Sequence, residues 1–200
     1  MLRLFAAIWF LGALLPLLPA ATEDEAAVAR LYPRGLAGDK QAVIDCIATL
    51  EKILAAEPKN QLARVYLGSA ETLRSRDLPF GPTKLSTLRR GIAHMDEAAV
   101  AAPNDGKVLL LRAITNENLP ALLGRRQVAR QALEELVALV EKEPAKLSSG
   151  DRQSLYLNAG NAAKRAGDDQ RARELWERGV ALRADPKLQR ELQAALATLN

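Results

Sequence analysis

Four times along this chain a proline follows the same kind of helix tail. The segments are "KILAAEPKN" at Pro58, "EAAVAAPND" at Pro103, "VALVEKEPAK" at Pro144 and "VALRADPK" at Pro186. The intervals are 45, 41 and 42 residues. Proline removes a backbone donor and disfavours helix at the residue before it, so each position is a stop. A stop that recurs at a near-constant interval is the mark of stacked repeat units. After three of the stops the chain restarts a helix that carries a small residue. These are Gly68 in "ARVYLGSAETL", Ala113 in "VLLLRAITNE" and Gly160 in "SLYLNAGNAAKRAG". Such residues predict close approach of two helices.

The segment before each stop shows an apolar stripe at helical spacing. The first stripe is Val43, Ile47, Leu50 and Leu54; the second is Leu85, Leu88, Ile92, Met95 and Ala99. The third is Ala129, Ala132, Leu136 and Leu139; the fourth is Ala172, Leu175, Trp176 and Gly179. Each stripe is too narrow to form a core alone, so helix pairs must stack on one another. Alanine and leucine dominate, which favours helix over sheet. Helices are expected at 23–35, 39–56, 60–76, 84–101, 105–118, 125–142, 151–166, 169–183 and 186–199. Asn104, Asp105 and Asp168 are suited to cap the helices that follow them. The last helix has Leu188, Leu192, Ala195 and Leu199 on one face and charges on the other, as a terminal cap requires.

The first 21 residues stand apart. "MLRLFAAIWFLGALLPLLPAA" has Arg3, an apolar run from Leu4 to Leu18, then Pro19-Ala20-Ala21. It reads as a secretory signal peptide, 1–21, cut after Ala20 or Ala21, ahead of a single domain over 22–200. An uncleaved inner-membrane anchor is the alternative. With cleavage the mature chain is periplasmic or secreted and has no membrane span. Once Arg3 is gone the charge falls from +4 to +3. Acids are interspersed among the bases, so nucleic acid is not an expected partner.

From Ser154 onward the chain resembles a tetratricopeptide repeat (TPR). "SLYLNAGNAAKRAGDDQRARELWERGVALRADP" has Tyr156, the small pair Ala159-Gly160, and the turn Ala166-Gly167-Asp168. It then has Ala172, Trp176 and Gly179 at the helix-packing positions. "PKNQLARVYLGSAETL" adds the pair Leu67-Gly68. The resemblance covers about residues 39–186 and is degenerate outside the last unit. The units exceed the family's usual length and fall within the HEAT and armadillo range. Pro33 in "RLYPRGLAGDK" interrupts the first helix of the first unit. The middle of the chain also resembles a group of bacterial exported repeat proteins without an assigned reaction. The resemblance implies an all-α fold: a right-handed α-solenoid of antiparallel helix pairs, about four units and a capping helix.

In such repeats the first helices line a concave groove. By helical phase the groove residues are Leu62, Val65, Ser69, Thr72 and Leu73, then Lys107, Leu110, Ile114, Glu117 and Asn118. Ser154, Leu157, Asn161, Lys164 and Arg165 complete the set. This mixture suits an extended peptide, with asparagines reading backbone amides. Two first helices end in Leu-Pro, at Leu78-Pro79 and Leu119-Pro120, with Gly81 or Gly124 before the second helix. Here Asn116 and Asn118 are expected to hold loose carbonyls at a helix end, with the two leucines packed beneath the loop. Arg125, Arg126 and Arg130 follow as a basic patch. A helix start disfavours positive charge, so the patch calls for an acidic partner or a neighbouring acid such as Glu117.

Chemistry is not legible. The one cysteine, Cys46, sits among helix-spaced apolar residues and reads as core. The one histidine, His94, has no motif around it. No metal spacing, catalytic carboxylate pair or phosphate loop is present, so neither enzyme activity, cofactor nor metal is expected. The expected role is a non-catalytic interaction scaffold in the bacterial envelope with a protein or peptide partner. The alternatives are a helical carrier of a small apolar ligand, or a self-associating structural subunit of an oligomeric complex.

Overall fold

The computed structural model describes residues 22–199, so the expected export segment lies outside it. Within the described residues nine α-helices follow in order: α1 Glu23–Leu36, α2 Lys40–Ala56, α3 Gln61–Asp77, α4 Pro82–Ala101, α5 Gly106–Asn118, α6 Arg126–Lys142, α7 Ser149–Arg165, α8 Asp169–Leu182 and α9 Pro186–Ala197. There is no strand among the described residues. Helices pair as α1–α2, α3–α4, α5–α6 and α7–α8, and α9 packs on α7 and α8. The first helices also touch in series, α1 to α3, α3 to α5 and α5 to α7. That is four stacked pairs and a cap, as the recurring stops require.

Capping sets most helix starts. Thr22 and Glu25 form a reciprocal capping box, and Asp39, Asn60, Asp105, Ser148, Asp168 and Asp185 each accept a hydrogen bond from the first turn. Of these nine helices only α4 and α6 lack a side-chain cap, and both follow a Leu-Pro stop. At those junctions the previous helix end is secured instead. Lys84 Nζ donates to the carbonyls of Arg76 and Leu78, at 3.1 and 3.0 Å. Arg126 Nε donates to the Leu119 carbonyl, at 3.1 Å. Both cations sit where the helix dipole is negative. Leu78 and Leu119 take extended backbone, as residues before proline do. Leu119 is buried beneath its loop and Leu78 half-buried.

Pro33 does not break α1. It falls in the last turn, so its missing donor costs one hydrogen bond before the helix ends at Leu36. The first unit is therefore complete.

Three stripes lie on a different line from the one their spacing suggests. In α2 the buried residues are Ala42, Val43, Cys46, Leu50 and Ile53, with Ile47 and Leu54 at the margin. In α4 they are Thr87, Gly91, Met95 and Ala98, whereas Leu85 is exposed and Leu88, Ile92 and Ala99 are half-buried. The cause in α4 is the contact with α3. A Cβ on Gly68 would lie 2.5 Å from the Gly91 carbonyl oxygen, and one on Gly91 2.6 Å from that of Gly68. The backbones touch there, so small residues occupy the contact line and large ones flank it. In α6, Leu133, Val137 and Val140 are buried beside Ala129 and Leu136, with Ala132 and Leu139 marginal. In α8 the stripe is as expected: Ala172, Leu175, Trp176 and Gly179.

The core runs through the stack. Val28, Cys46, Leu50 and Leu67 join the first pair to the second, and Val65, Met95, Ala98 and Val108 join the second to the third. Leu133, Leu155, Leu175, Trp176 and Leu192 fill the rest. Trp176 lies over Gly160, where a Cβ would meet the ring at 2.4 Å, and Leu192 of α9 lies over Gly179 at 2.8 Å. Gln153, fully buried, donates to Gln189 at 2.9 Å and accepts from the Asp185 N–H at 2.7 Å, tying α7 to the cap.

Replacing Gly68 with alanine should destabilise the protein by about 1–3 kcal/mol in urea unfolding, because rigid backbone faces the new methyl. Gly150→Ala, where a methyl meets only one atom at 4.0 Å, should stay within about 0.5 kcal/mol of the parent. Equal effects at the two sites would refute the close-contact account.

Candidate functional site

The first helices of the four pairs share one open groove of about 860 Å³. Tyr32 and Leu36 of α1 border it, with Tyr66, Ser69, Thr72 and Leu73 of α3. Lys107, Leu110, Ile114, Thr115 and Asn118 of α5 follow, then Asp151, Ser154 and Asn158 of α7. Lys84, Leu119, Pro120 and Arg126 close the end where the Leu-Pro stops lie. A second depression of about 460 Å³ lies beyond the two tyrosines, lined by Val28, Leu50, Ile53, Leu62 and Ala63.

Tyr32 and Tyr66 divide the two. Their rings meet edge to face, 4.9 Å apart at 86°, a favoured aromatic geometry. The Tyr32 hydroxyl shares a 2.7 Å hydrogen bond with Ser69, and Ser69 a 2.9 Å one with Thr115. This hydroxyl chain crosses α1, α3 and α5 and joins three units. Burial pushes both phenols above their ordinary range; the bond to Ser69 offsets this only partly at Tyr32. Both phenols are therefore neutral at pH 7, and the Tyr32 hydroxyl can donate to Ser69 or accept from it. Sequence reasoning passed over them because "RLYPRG" and "ARVYLG" read as interruption and packing motif.

The expected groove residues divide. Ser69, Thr72, Leu73, Lys107, Leu110, Ile114, Asn118 and Ser154 border the groove, and Leu62 borders the second depression. Val65 does not: it is fully buried against Met95, Ala98 and Val108. Leu157 is likewise core. Glu117 is buried and takes a 3.0 Å ion pair from Arg165, so both serve the α5–α7 joint. Lys164 pairs with Asp169 at 2.9 Å, and Asn161 is half-buried off the groove. The helical phase was right for one edge of each first helix and one residue off for the other. Thr115 and Asn158 were missed for that reason.

The basic patch separates too. Arg125 pairs with Asp96 of α4, not with Glu117, and Asp96 also holds Arg112 at 2.8 Å. Arg126 secures the end of α5 and borders the groove. Arg130 is exposed. Asn118 Nδ2 donates to the Ile114 carbonyl at 2.8 Å, as expected of a helix end. Asn116 does not do so; it is buried and its Oδ1 meets no protein donor.

Nothing here assembles reacting groups. The His94 ring shares a 2.9 Å hydrogen bond with Glu71, a carboxylate buried between α3 and α4 that also binds Arg90. That trio ties two helices away from the groove. No metal-ligating cluster occurs among the described residues, and no described helix is long and apolar enough to cross a membrane.

A solved structure shares this architecture: a thermophilic TPR protein from Thermus thermophilus. The TM-score is 0.64 over 88% of this chain and 82% of that one, at 16% identity. This chain has a TPR-like fold. No family model matches it, and the search of curated proteins gives no match. The resemblance read from Tyr156, Gly160 and Trp176 is thus matched by a whole architecture.

Cys46 offers a measurable consequence. Burial raises its thiol from 9.0 to about 11. Below pH 9 the thiol is protonated in both folded and unfolded chains, and its contribution to stability is constant. Between pH 9 and about 11 only the unfolded chain loses the proton, so stability falls. Cys46→Ala should show a shallower decline across that window in urea titrations. Parallel pH curves for the two proteins would rule out the burial effect.

Proposed function

We propose that this protein is a non-catalytic scaffold that holds an extended segment of a partner protein along the groove of its first helices. The observation that carries this reading is the groove's form. It is open, it crosses all four first helices, and its walls alternate apolar and hydrogen-bonding side chains. Helices stack at about 9 Å, so four of them offer about 27 Å of track, the length of about eight extended residues.

The asparagines support it. Asn118 and Asn158 each donate Nδ2 to the carbonyl four residues back, both at 2.8 Å. Their Oδ1 atoms are left as acceptors for a peptide's N–H groups, while Leu73 and Ile114 offer apolar contact. A carrier of a small apolar ligand would bury most of that ligand, whereas both depressions are only half enclosed. The amino-terminal apolar segment supports a role in the bacterial envelope.

A photo-crosslinking residue at Ile114 in intact cells should attach to a defined protein, and one at exposed Gln131 should not. With a peptide from that protein, Asn118→Ala/Asn158→Ala should weaken binding about tenfold or more in calorimetry, since each lost hydrogen bond is worth about 1 kcal/mol. Equal attachment at both positions, or unchanged affinity, would reject the groove.

A further inference from the structure

The edge where first helices end and second helices begin has an unusual surface. Phe80 lies in the α3–α4 connection and is 89% exposed; Leu122 lies in the α5–α6 connection and is 87% exposed. They occupy matching places, just after Pro79 and Pro120. Leu36, Leu85 and Val128 are also exposed on the ends of α1, α4 and α6 that face this way. Five of the seven large exposed apolar side chains among the described residues thus sit at one edge of the stack. The two connections are neighbours, because Lys84, Pro120 and Arg126 border the same end of the groove.

The charge around these two connections is one-sided. Residues 74–90 carry five bases and one acid, and residues 119–133 three arginines and no acid. The opposite edge, 97–107 and 141–151, carries five acids and three lysines. Three of the bases are committed to carboxylates: Arg76 to Asp77, Arg90 to Glu71 and Arg125 to Asp96. Arg74, Lys84, Arg89, Arg126 and Arg130 have no carboxylate partner among the described residues.

We propose that this edge docks on an anionic lipid surface, with Phe80 and Leu122 entering the headgroup layer and the cations that lack a carboxylate partner on the phosphates. Separate apolar side chains on loop tips, ringed by cations, suit a fluid interface that needs no shape match. A protein interface would instead want one packed apolar centre. The orientation leaves the groove accessible beside the membrane, so the inference stands whether or not the groove holds a peptide.

Cys46 is 1% exposed, so an added cysteine can be labelled alone. Full-length Phe80→Cys, Leu122→Cys and Val100→Cys proteins carry an environment-sensitive dye. Val100 is 82% exposed at the far end of α4 and serves as control. Vesicles of phosphatidylglycerol and phosphatidylcholine should raise emission at least twofold at 80 and 122, with little change at 100. Pure phosphatidylcholine, or high salt, should reduce the response several-fold. The apolar segment at the start of the chain leads into Glu23, on the edge that holds Val100, so its own insertion would favour position 100 and reverse the expected pattern. Equal responses at all three, equal responses to neutral and anionic vesicles, or none at 80 and 122 would overturn the proposal.

Discussion

The contact between Gly68 and Gly91 governs much of what surrounds it. Two helix backbones touch with no side chain between them. That contact rotates α4 until Thr87, Met95 and Ala98 face inward and pushes Leu88 and Ile92 to the flanks. The flanks then decide what can pack next: Leu88 borders the groove, and Ile92 packs against the cluster shared with α5. Glu71 sits one turn from Gly68, and its carboxylate is sealed between the helices that the contact holds together. Arg90 and His94 approach from α4 on either side of Gly91. A buried carboxylate is tolerable only when such partners are in place, so the close approach and the ionic tie depend on each other.

The later units solve the same problem with other residues. Between α7 and α8 the glycine faces an aromatic ring instead of a second glycine, and the Trp176 indole donates to the Leu157 carbonyl at 3.3 Å. Between α5 and α6, Ala113 takes the small-residue position within a large aliphatic cluster. Backbone contact, ring over glycine and aliphatic packing are three interchangeable ways of closing one helix pair. This is why the sequence repeat is weak while the architecture is regular.

That degeneracy explains what could be read in advance. The stops at Pro58, Pro103, Pro144 and Pro186 and the caps at Asp105 and Asp168 are local, and they marked the helices to within about two residues. The faces were harder to read. A stripe such as Leu85, Leu88, Ile92 is the best apolar line that α4 possesses alone. Which line is buried depends on Gly91, whose meaning appears only beside Gly68. Val65 and Glu117 were placed in the groove for the same reason. Their phase fits the concave side, but Met95 and Arg165, far off in sequence, claim them. Tyr32 carries no signal of its role in the local sequence. Its partner Ser69 is 37 residues away and no local pattern links them.

The hydroxyl chain from Tyr32 through Ser69 to Thr115 has a mechanical consequence. A stack of helix pairs bends by small rotations at each joint between units. Here the first two joints share Ser69, which bonds to both of its neighbours. Turning one joint alone would stretch one of these two short, part-buried hydrogen bonds. The α1–α3 and α3–α5 joints are thus geared to move together, while the α5–α7 joint is held separately by Glu117 and Arg165. The concave face is thus tied in two ways, by hydroxyls across its first two joints and by an ion pair across its third.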